Sequence, residues 1–367
     1  MGATDVGPWA GNTTSALQAW ESGNISVSWG GAGFLILYYV GVLKVLRQLG
    51  IITEATRVGG VSSGALTAGA ICSGVPDDEF YKTVKALVSS CRKSGCAGKM
   101  DKLMRELLED TLPEDAAARC RGKFYAGVTV LENGNPRAVT AGASEDLKDR
   151  SDLISTLAAS AYIPIWSGRQ LFTTWHGRDT ADGSLSTAQL CPPGSHYCVR
   201  VASRSPELPR PTMSETLSAI ARAMTGAPAA AASLEKPRLP DGPVAPAPAQ
   251  AAAMKKAGLD IAPGLSVKTD WEPSTWTELG LIPCDESTCD WLYRMGQIDA
   301  MSWADSEGIL AAALAKKRAA AAAAAQAQAP APAPAPTPTP APTPTAHKHA
   351  PRTWKTGELA AQYMQGR

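Results

Sequence analysis

The chain has 367 residues and a formal net charge of +1. Its length is enough for one large domain or two small ones. The chain is nearly neutral and has no basic run with interleaved aromatic residues. It therefore lacks the extended positive charge that binds nucleic acid, and we expect no nucleic-acid partner.

The first predicted elements follow a polar N-terminal stretch, residues 1–24, which we expect to be flexible. Residues 25–29 alternate and are β-branched, which predicts a strand. A glycine-rich turn at residues 30–33 follows, and then an apolar helix over about residues 35–49. Such a turn before a helix N-terminus suits a nucleotide phosphate or an oxyanion, although a tight turn without a ligand has the same composition.

The dinucleotide-binding fingerprint is incomplete in this turn. Ile36 stands where its third glycine belongs, and Glu54, the acid in the right window, lies at the end of a loop. The oxyanion role is favoured because a serine motif follows closely. In acyl transfer, preset N–H donors stabilise the charge on the former carbonyl oxygen, and losing one donor raises the barrier by roughly 3–4 kcal/mol.

The serine motif is Gly60-x-Ser62-x-Gly64, within residues 56–66. This pattern is typical of a nucleophile on a sharp turn from a strand to a helix. The serine backbone is strained there, and glycines on either side avoid a clash. The N-terminus of the following helix favours negative charge beside the hydroxyl. A motif this short also arises by chance in a chain rich in glycine and alanine, so its context must decide.

The remaining pattern alternates strands with helices, which indicates an α/β sandwich and not a helical bundle. We predict helices from residue 76 to about 91 and over 100–109, a hairpin of 122–131 with 137–140, a helix over 153–161 capped by Ser151-Asp152, and a strand at 197–201.

The chain changes composition near Pro206. We predict five segments: a flexible N-terminus at 1–24, an α/β domain at 25–205, an Ala/Pro-rich linker or insertion at 206–264 with a helical patch at 214–224, a helical segment packing on the domain at 265–318, and a disordered Ala/Pro/Thr tail at 319–367.

The eight cysteines are Cys72, Cys91, Cys96, Cys120, Cys191, Cys198, Cys284 and Cys289. Their spacing gives only weak support for a metal site. The N-terminus does not resemble a signal peptide, so we expect separate reduced thiols and a cytoplasmic protein. The apolar run at 34–43 is too short to span a bilayer, so we expect a soluble protein.

A serine nucleophile needs a base within hydrogen-bond reach, and in α/β-hydrolases the usual order is serine, acid, histidine. The four histidines are His176, His196, His347 and His349. Asp182 is the candidate acid. Of the histidines that precede the Ala/Pro/Thr tail, only His196 follows it. A carboxylate in a dry pocket can instead accept the proton itself, because burial raises its pKa. Asp182-Gly183 fits this role, although Asp-Gly is also a common turn.

Four sequence motifs, in their order along the chain, resemble those of the patatin-like phospholipase family, and most closely those of the branch of the animal adipose triglyceride lipase. They lie at residues 28–35 with 38–43, at 60–66, at 160–168 and at Asp182-Gly183. The resemblance covers about residues 25–201, with a weaker match at 295–300.

This resemblance implies a three-layer α/β/α fold in which Ser62 is the nucleophile and Asp182 the base. The implied oxyanion hole comprises Gly31, Ala32, Gly33 and Ser63, and the elbow glycines are Gly60 and Gly64. It also implies acyl-ester hydrolysis of glycerolipids, slightly favouring triacylglycerol, with no metal and no cofactor. Contact with a lipid-droplet or membrane surface would be peripheral, and a protein activator would be of unknown identity.

The chain departs from the family pattern at Ile36, at Ser184 and at residues 185–187, which lack the family's usual Asn-Pro-like residues. Ile36 replaces a glycine and either crowds the oxyanion loop or packs in the helix, and Ser184 follows Asp182-Gly183. The alternatives are therefore a catalytically impaired lipid-surface regulator and, from the glycine-rich turn, a nucleotide-binding domain.

Overall fold

The structure is a computed structural model that describes residues 11–142, 147–209, 211–226 and 235–327. The strands are β1 (Ile25–Trp29), β2 (Arg57–Val61), β3 (Phe124–Glu132), β4 (Asn135–Ala141), β5 (Thr173–Trp175), β6 (Arg178–Ala181) and β7 (Tyr197–Val201). The helices are α1 (Ala16–Glu21), α2 (Ile36–Gln48), α3 (Ser63–Ser73), α4 (Asp77–Ser94), α5 (Met100–Thr111), α6 (Ala116–Cys120), α7 (Arg150–Ser160), α8 (Met213–Met224), α9 (Pro248–Ala257), α10 (Pro273–Leu281), α11 (Glu286–Ser306) and α12 (Ile309–Ala327).

The strands form one seven-stranded sheet in the order β5-β6-β3-β2-β1-β7, with β4 paired to β3 outside that path. The neighbours β3, β2, β1 and β7 run parallel, whereas β4 and β6 run antiparallel to β3. Trp29 of β1 lies opposite Gly60 of β2. Because the carboxyl ends of parallel strands meet at one edge, the glycine-rich turn and Ser62 emerge side by side.

Helices cover the sheet, and α3 and α7 pack directly against its strands. The apolar runs of the central strands become buried core, together with large side chains such as Trp29, Tyr38 and Phe124. β1 and β2 are buried along nearly their whole length, including the polar Ser26 and Ser28 of β1, as expected for central strands covered on both faces. The predicted α/β sandwich is confirmed.

The C-terminal half contributes further packing. α11 packs along α2, and Ile261, within the predicted linker, forms a parallel bridge with Val201 at the end of β7. α12 continues to Ala327, so the start of the predicted tail is helical, and the rest of that tail lies outside the described residues. The predicted boundaries between segments stay a prediction.

Two local expectations are wrong. α7 begins at Arg150 and is capped by Asp149, whose carboxylate accepts from the N–H of Asp152, so the cap lies before the predicted Ser151-Asp152. The expectation of separate reduced thiols also fails, because tertiary packing brings distant cysteines together. Disulfides join Cys72 to Cys120, Cys91 to Cys96 and Cys191 to Cys198, whereas Cys284 and Cys289 are free and buried.

Candidate active site

Ser62 occupies a sharp turn between β2 and α3. Its backbone has φ 56° and ψ −131°, and non-glycine residues rarely adopt such a positive φ. The turn is tight enough that a Cβ at Gly60 would overlap the backbone of Gly64, and a Cβ at Gly64 would overlap the carbonyl group of Trp29. Only glycine fits at the two flanking positions, as the motif requires.

The carboxylate of Asp182 lies directly against the Ser62 hydroxyl. Ser62 Oγ donates to Asp182 Oδ2 at 2.6 Å, and the two residues are only 5% and 4% exposed. Asp182 follows β6, and its other oxygen, Oδ1, accepts from the N–H of Ser184 at 2.8 Å. Its backbone N–H donates to the carbonyl of Tyr162 at 2.7 Å, and its carbonyl accepts from Thr129 Oγ1 at 2.8 Å. These bonds fix the direction in which the carboxylate points.

Burial raises the pKa of Asp182 above its ordinary value. Hydrogen bonds from Ser62 and Ser184 act in the opposite direction, because they stabilise the ionised carboxylate. Desolvation is the larger effect, so the net direction is upward. A carboxylate with a raised pKa is a stronger base and accepts a proton more readily than an exposed one.

Ser160, at the end of α7, holds the backbone of Ser62. Its hydroxyl accepts from the Ser62 N–H at 3.0 Å and donates to the carbonyl of Gly127 at 2.7 Å. Ser160 lies in one of the four family-like motifs, at residues 160–168, but the sequence alone gave it no role. A buried serine at a helix end has no sequence signal that separates this contact from ordinary packing.

The glycine-rich turn lies against the elbow. A Cβ at Gly31 would come within 3.6 Å of Ser62 Cβ and would overlap Ser184 Oγ. The carbonyl of Gly31 accepts from Ser203 Oγ at 2.8 Å, and that of Gly33 accepts from Ser63 Oγ at 3.1 Å. Within the described part of the chain, the N–H groups of Gly31, Ala32 and Gly33 have no hydrogen-bond partner. The turn therefore has free donors close to Ser62.

Neither of the two histidines in the described part of the chain, His176 and His196, lies at Ser62. The backbone N–H of His196 donates to the carbonyl of Asn24 at 3.0 Å, next to the start of β1. Ser62 follows the opposite, carboxyl end of the parallel strands. His176 lies elsewhere and pairs with Asp152, with Nε2 and Oδ1 2.6 Å apart. His347 and His349 lie outside the described residues.

An apolar cavity of about 100 Å³ opens beside Ser62. Its walls come from α3, α4 and α5 and carry mainly Leu, Val, Met, Phe and Ala side chains. Ile36 lies on its wall together with Gly33 and Ser63, and is 7% exposed. Ile36 therefore both packs at the start of α2 and borders the space next to the hydroxyl. An apolar cavity of this kind suits a hydrocarbon chain.

The described residues contain neither a metal-binding cluster nor a helix that could span a membrane. No group of three or more His, Cys, Asp and Glu side chains there is arranged to hold a metal ion. None of the helices there is both long enough and apolar enough to pass through a bilayer.

Comparison with known proteins finds a family match for part of the chain. A family model described as "Patatin-like phospholipase" matches residues 27–188. The human omega-hydroxyceramide transacylase is 30% identical over 173 residues, covering 45% of this chain and 31% of that protein. Patatin-like phospholipase domain-containing protein 2 of Rattus norvegicus is 29% identical over 168 residues, covering 44% of this chain and 34% of that protein.

A third relative is the human 1-acylglycerol-3-phosphate O-acyltransferase PNPLA3, 26% identical over 168 residues, covering 44% of this chain and 34% of that protein. The chain spans about a third of the length of these curated relatives. Similarity to the crystal structure of VipD from Legionella pneumophila is weak, at 12% identity and a TM-score of 0.35 over 77% of this chain and 66% of that one. Residues 27–188 therefore form a patatin-like phospholipase domain.

Proposed function

We propose that the protein is a serine hydrolase of glycerolipid acyl esters, with Ser62 as nucleophile and Asp182 as its base. The observation that carries this proposal is the buried 2.6 Å hydrogen bond between Ser62 Oγ and Asp182 Oδ2, beside an apolar cavity. The family match and the names of the relatives, which act on lipids, support the same reaction class.

In the proposed reaction, Ser62 Oγ attacks the ester carbonyl while Asp182 takes the hydroxyl proton. The carbonyl oxygen becomes negative and is stabilised by the free N–H groups of the turn at Gly31, Ala32 and Gly33, and by that of Ser63 at the start of α3. As the tetrahedral intermediate collapses, the protonated Asp182 gives its proton to the leaving alcohol oxygen. Water then attacks the acyl-enzyme, gives a proton to Asp182 and releases the fatty acid. The Ser62 oxygen recovers that proton.

The proposed substrate is a glycerolipid whose acyl chain enters the cavity, either triacylglycerol or a phospholipid. Ile36 is proposed to narrow the cavity next to the ester, which favours a straight chain over a branched one. The mechanism requires no cofactor, because the carboxylate and the backbone donors supply every proton and charge that it uses.

We further propose peripheral contact with a lipid-droplet or membrane surface. Three large apolar side chains are exposed in the segments next to the site: Ile165 is 40% exposed, Leu171 57% and Leu185 60%. Leu185 follows Asp182 closely in sequence. Changing Leu171 and Leu185 to serine is expected to weaken vesicle binding while hydrolysis of a soluble short-chain ester is retained. Cytoplasmic location and a protein activator stay predictions.

A fluorophosphonate probe tests the nucleophile. We expect it to label the purified full chain and to leave a Ser62→Ala variant unlabelled, with release of fatty acid from triolein, phosphatidylcholine or a galactolipid lost in parallel. A folded protein without labelling would instead support a lipid-surface regulator. Thermal stabilisation by nucleotides, and not by lipids, would support the nucleotide-binding alternative.

A further inference from the structure

A second cleft lies on the other side of the cavity wall. It has a volume of about 530 Å³ and lies between the end of α4, the start of α5, the segment around Trp166 and the ends of α8 and α10. Phe34 and Trp166 line both this cleft and the apolar cavity. Their rings meet edge to face with centroids 5.8 Å apart, so the two spaces share one aromatic wall.

The charge around this cleft has one sign. Its lining includes Arg92, Lys93, Lys99 and Arg169 and no aspartate or glutamate. All four side chains belong to exposed residues, and none forms an ion pair with a carboxylate among the described residues. The whole chain has a net charge of only +1, so this concentration of positive charge is local.

Compensation of a helix dipole explains only half of this charge. Arg92 and Lys93 lie in the last turn of α4, where cations offset the negative end of the helix. Lys99 is at the start of α5, where a cation is unfavourable for the helix, and Arg169 is in a loop. Compensation of a helix dipole therefore does not explain Lys99 or Arg169.

The frame that carries these cations is held rigidly. A disulfide between Cys91 and Cys96 joins the last turn of α4, which bears Arg92 and Lys93, to the loop that follows it. The Gly98 N–H donates to the carbonyl of Trp166 at 2.5 Å, which ties this loop to the shared wall. The Arg169 side chain lies over Gly98, where a Cβ would come within 2.7 Å of its Nε, and Arg169 has φ +59°.

We infer that this cleft binds the phosphate group of an anionic glycerophospholipid whose acyl ester reacts at Ser62. This inference rests on the proposed function and specifies its substrate class. Ammonium and guanidinium groups bind phosphate through charge-assisted hydrogen bonds, and the apolar cavity beyond the shared wall takes the acyl chain. The cleft therefore favours a phospholipid over the uncharged triacylglycerol.

The test compares phosphatidic acid with diacylglycerol, which lacks the phosphate. The cleft variant is Lys99→Gln with Arg169→Gln in the full chain. The matched control is Lys102→Gln with Lys148→Gln, which removes the same charge from exposed residues outside the cleft. We expect the cleft variant to lose about 10-fold or more in kcat/KM on phosphatidic acid, because charge-assisted hydrogen bonds are lost. Activity on diacylglycerol should stay within about twofold for both variants, as expected for a change that spares the uncharged substrate.

The outcomes separate the two proposals. Equal activity of the cleft and control variants on phosphatidic acid would overturn the cleft assignment. If wild-type protein hydrolyses neither lipid, the proposed function fails. The cleft is then judged by whether the Ser62→Ala protein binds phosphatidylcholine vesicles containing phosphatidic acid, and loses that binding with the cleft substitutions. Thermal stabilisation by inorganic phosphate alone, lost in the cleft variant without any change toward phosphatidic acid, would assign the cleft to free phosphate and overturn the lipid head group.

Discussion

At the scale of single residues, the chemistry depends on how one carboxylate and one hydroxyl are held. Asp182 receives hydrogen bonds on both oxygens and is anchored through its own N–H and carbonyl. Ser62 has a positive φ in a turn that its two flanking glycines permit, and its N–H donates to Ser160. Each restraint comes from a different part of the chain, so local changes should affect activity and folding to different extents.

Replacing Asp182 by asparagine tests its role as base. The amide cannot accept the Ser62 proton, so we expect kcat/KM to fall by about 10²–10⁴-fold while the fold is retained. In the wild type, activity should fall as the pH drops and Asp182 becomes protonated. Because burial raises its pKa, this decline should be centred above the ordinary aspartate value. A pH–rate profile with its acid limb at the ordinary value, or a fully active variant, would contradict the role.

Ser160 is a positioning residue, and Ser160→Ala measures what it does. The change leaves the Ser62 N–H and the Gly127 carbonyl without their partner, which costs about 1–3 kcal/mol of stability. We expect kcat to fall with little change in KM, since the nucleophile moves but the cavity does not. Thr156→Ala is the matched control, because Thr156 lies one turn earlier on α7 and accepts from Trp175 Nε1 at 3.0 Å, away from Ser62. It should lose similar stability and keep its kcat. An equal loss of kcat in both variants would make the effect of Ser160 merely structural.

At the scale of secondary-structure elements, the contact between α2 and α11 fixes how the C-terminal half joins the domain. Tyr38 on α2 donates through its hydroxyl to Asp299 Oδ2 on α11 at 2.9 Å, and the N–H of Ser266 donates to Asp299 Oδ1 at 2.9 Å. Asp299 is fully buried, and desolvation raises its pKa from 3.8 to about 7 despite these hydrogen bonds. The contact is therefore sensitive to pH.

Asp299→Asn should remove part of the pH dependence of stability. Between pH 3.8 and about 7 the folded state binds more protons than the unfolded state, so this carboxyl lowers the free energy of unfolding as the pH rises through that window. The full effect is roughly 4 kcal/mol for a shift of this size. Denaturant unfolding at about pH 5 and about pH 8 should show that the stability of the wild type relative to the variant falls with rising pH. Asp305→Asn, at an exposed position on the same helix, is the control. A difference between wild type and Asp299→Asn that does not change with pH would contradict the prediction.

At the scale of the whole molecule, three disulfides constrain the unfolded chain. Their cysteines are separated by 48 residues for Cys72–Cys120, 7 for Cys191–Cys198 and 5 for Cys91–Cys96. The longest loop should stabilise the fold most, because closing it removes the most entropy from the unfolded state. Disulfides persist mainly in oxidising compartments, so these pairs would be reduced in the predicted cytoplasmic location and kept in an oxidising one.

Paired substitutions of cysteine by alanine test this order. Removing Cys72–Cys120 should lower the free energy of unfolding by about 4 kcal/mol, and removing Cys191–Cys198 by about 2–3 kcal/mol. Removing the free pair Cys284 and Cys289 controls for the loss of buried thiols. Denaturant unfolding under oxidising and reducing conditions gives all three values. Equal losses for the two disulfides, or none on reduction, would contradict the loop-length argument.

The sequence by itself determined the features that depend on neighbouring residues. The serine elbow, the first strand and the glycine-rich turn follow from local spacing, because a sharp turn demands glycine within a few positions. The order of the four sequence motifs was enough to predict a patatin-like phospholipase domain, which the comparison confirms. The hairpin of β3 and β4 followed from Asn133-Gly134, since that dipeptide suits a tight turn.

Only the tertiary structure decided the features that join distant residues. It placed Asp182 against Ser62 and His196 at the opposite end of the strands, although both followed the serine in sequence. It paired six of the cysteines and gathered the cations of the second cleft from α4, α5 and a loop. The physical reason is that these contacts are made by packing helices on a sheet, and packing depends on side-chain volume and direction across the whole core, which no local pattern records.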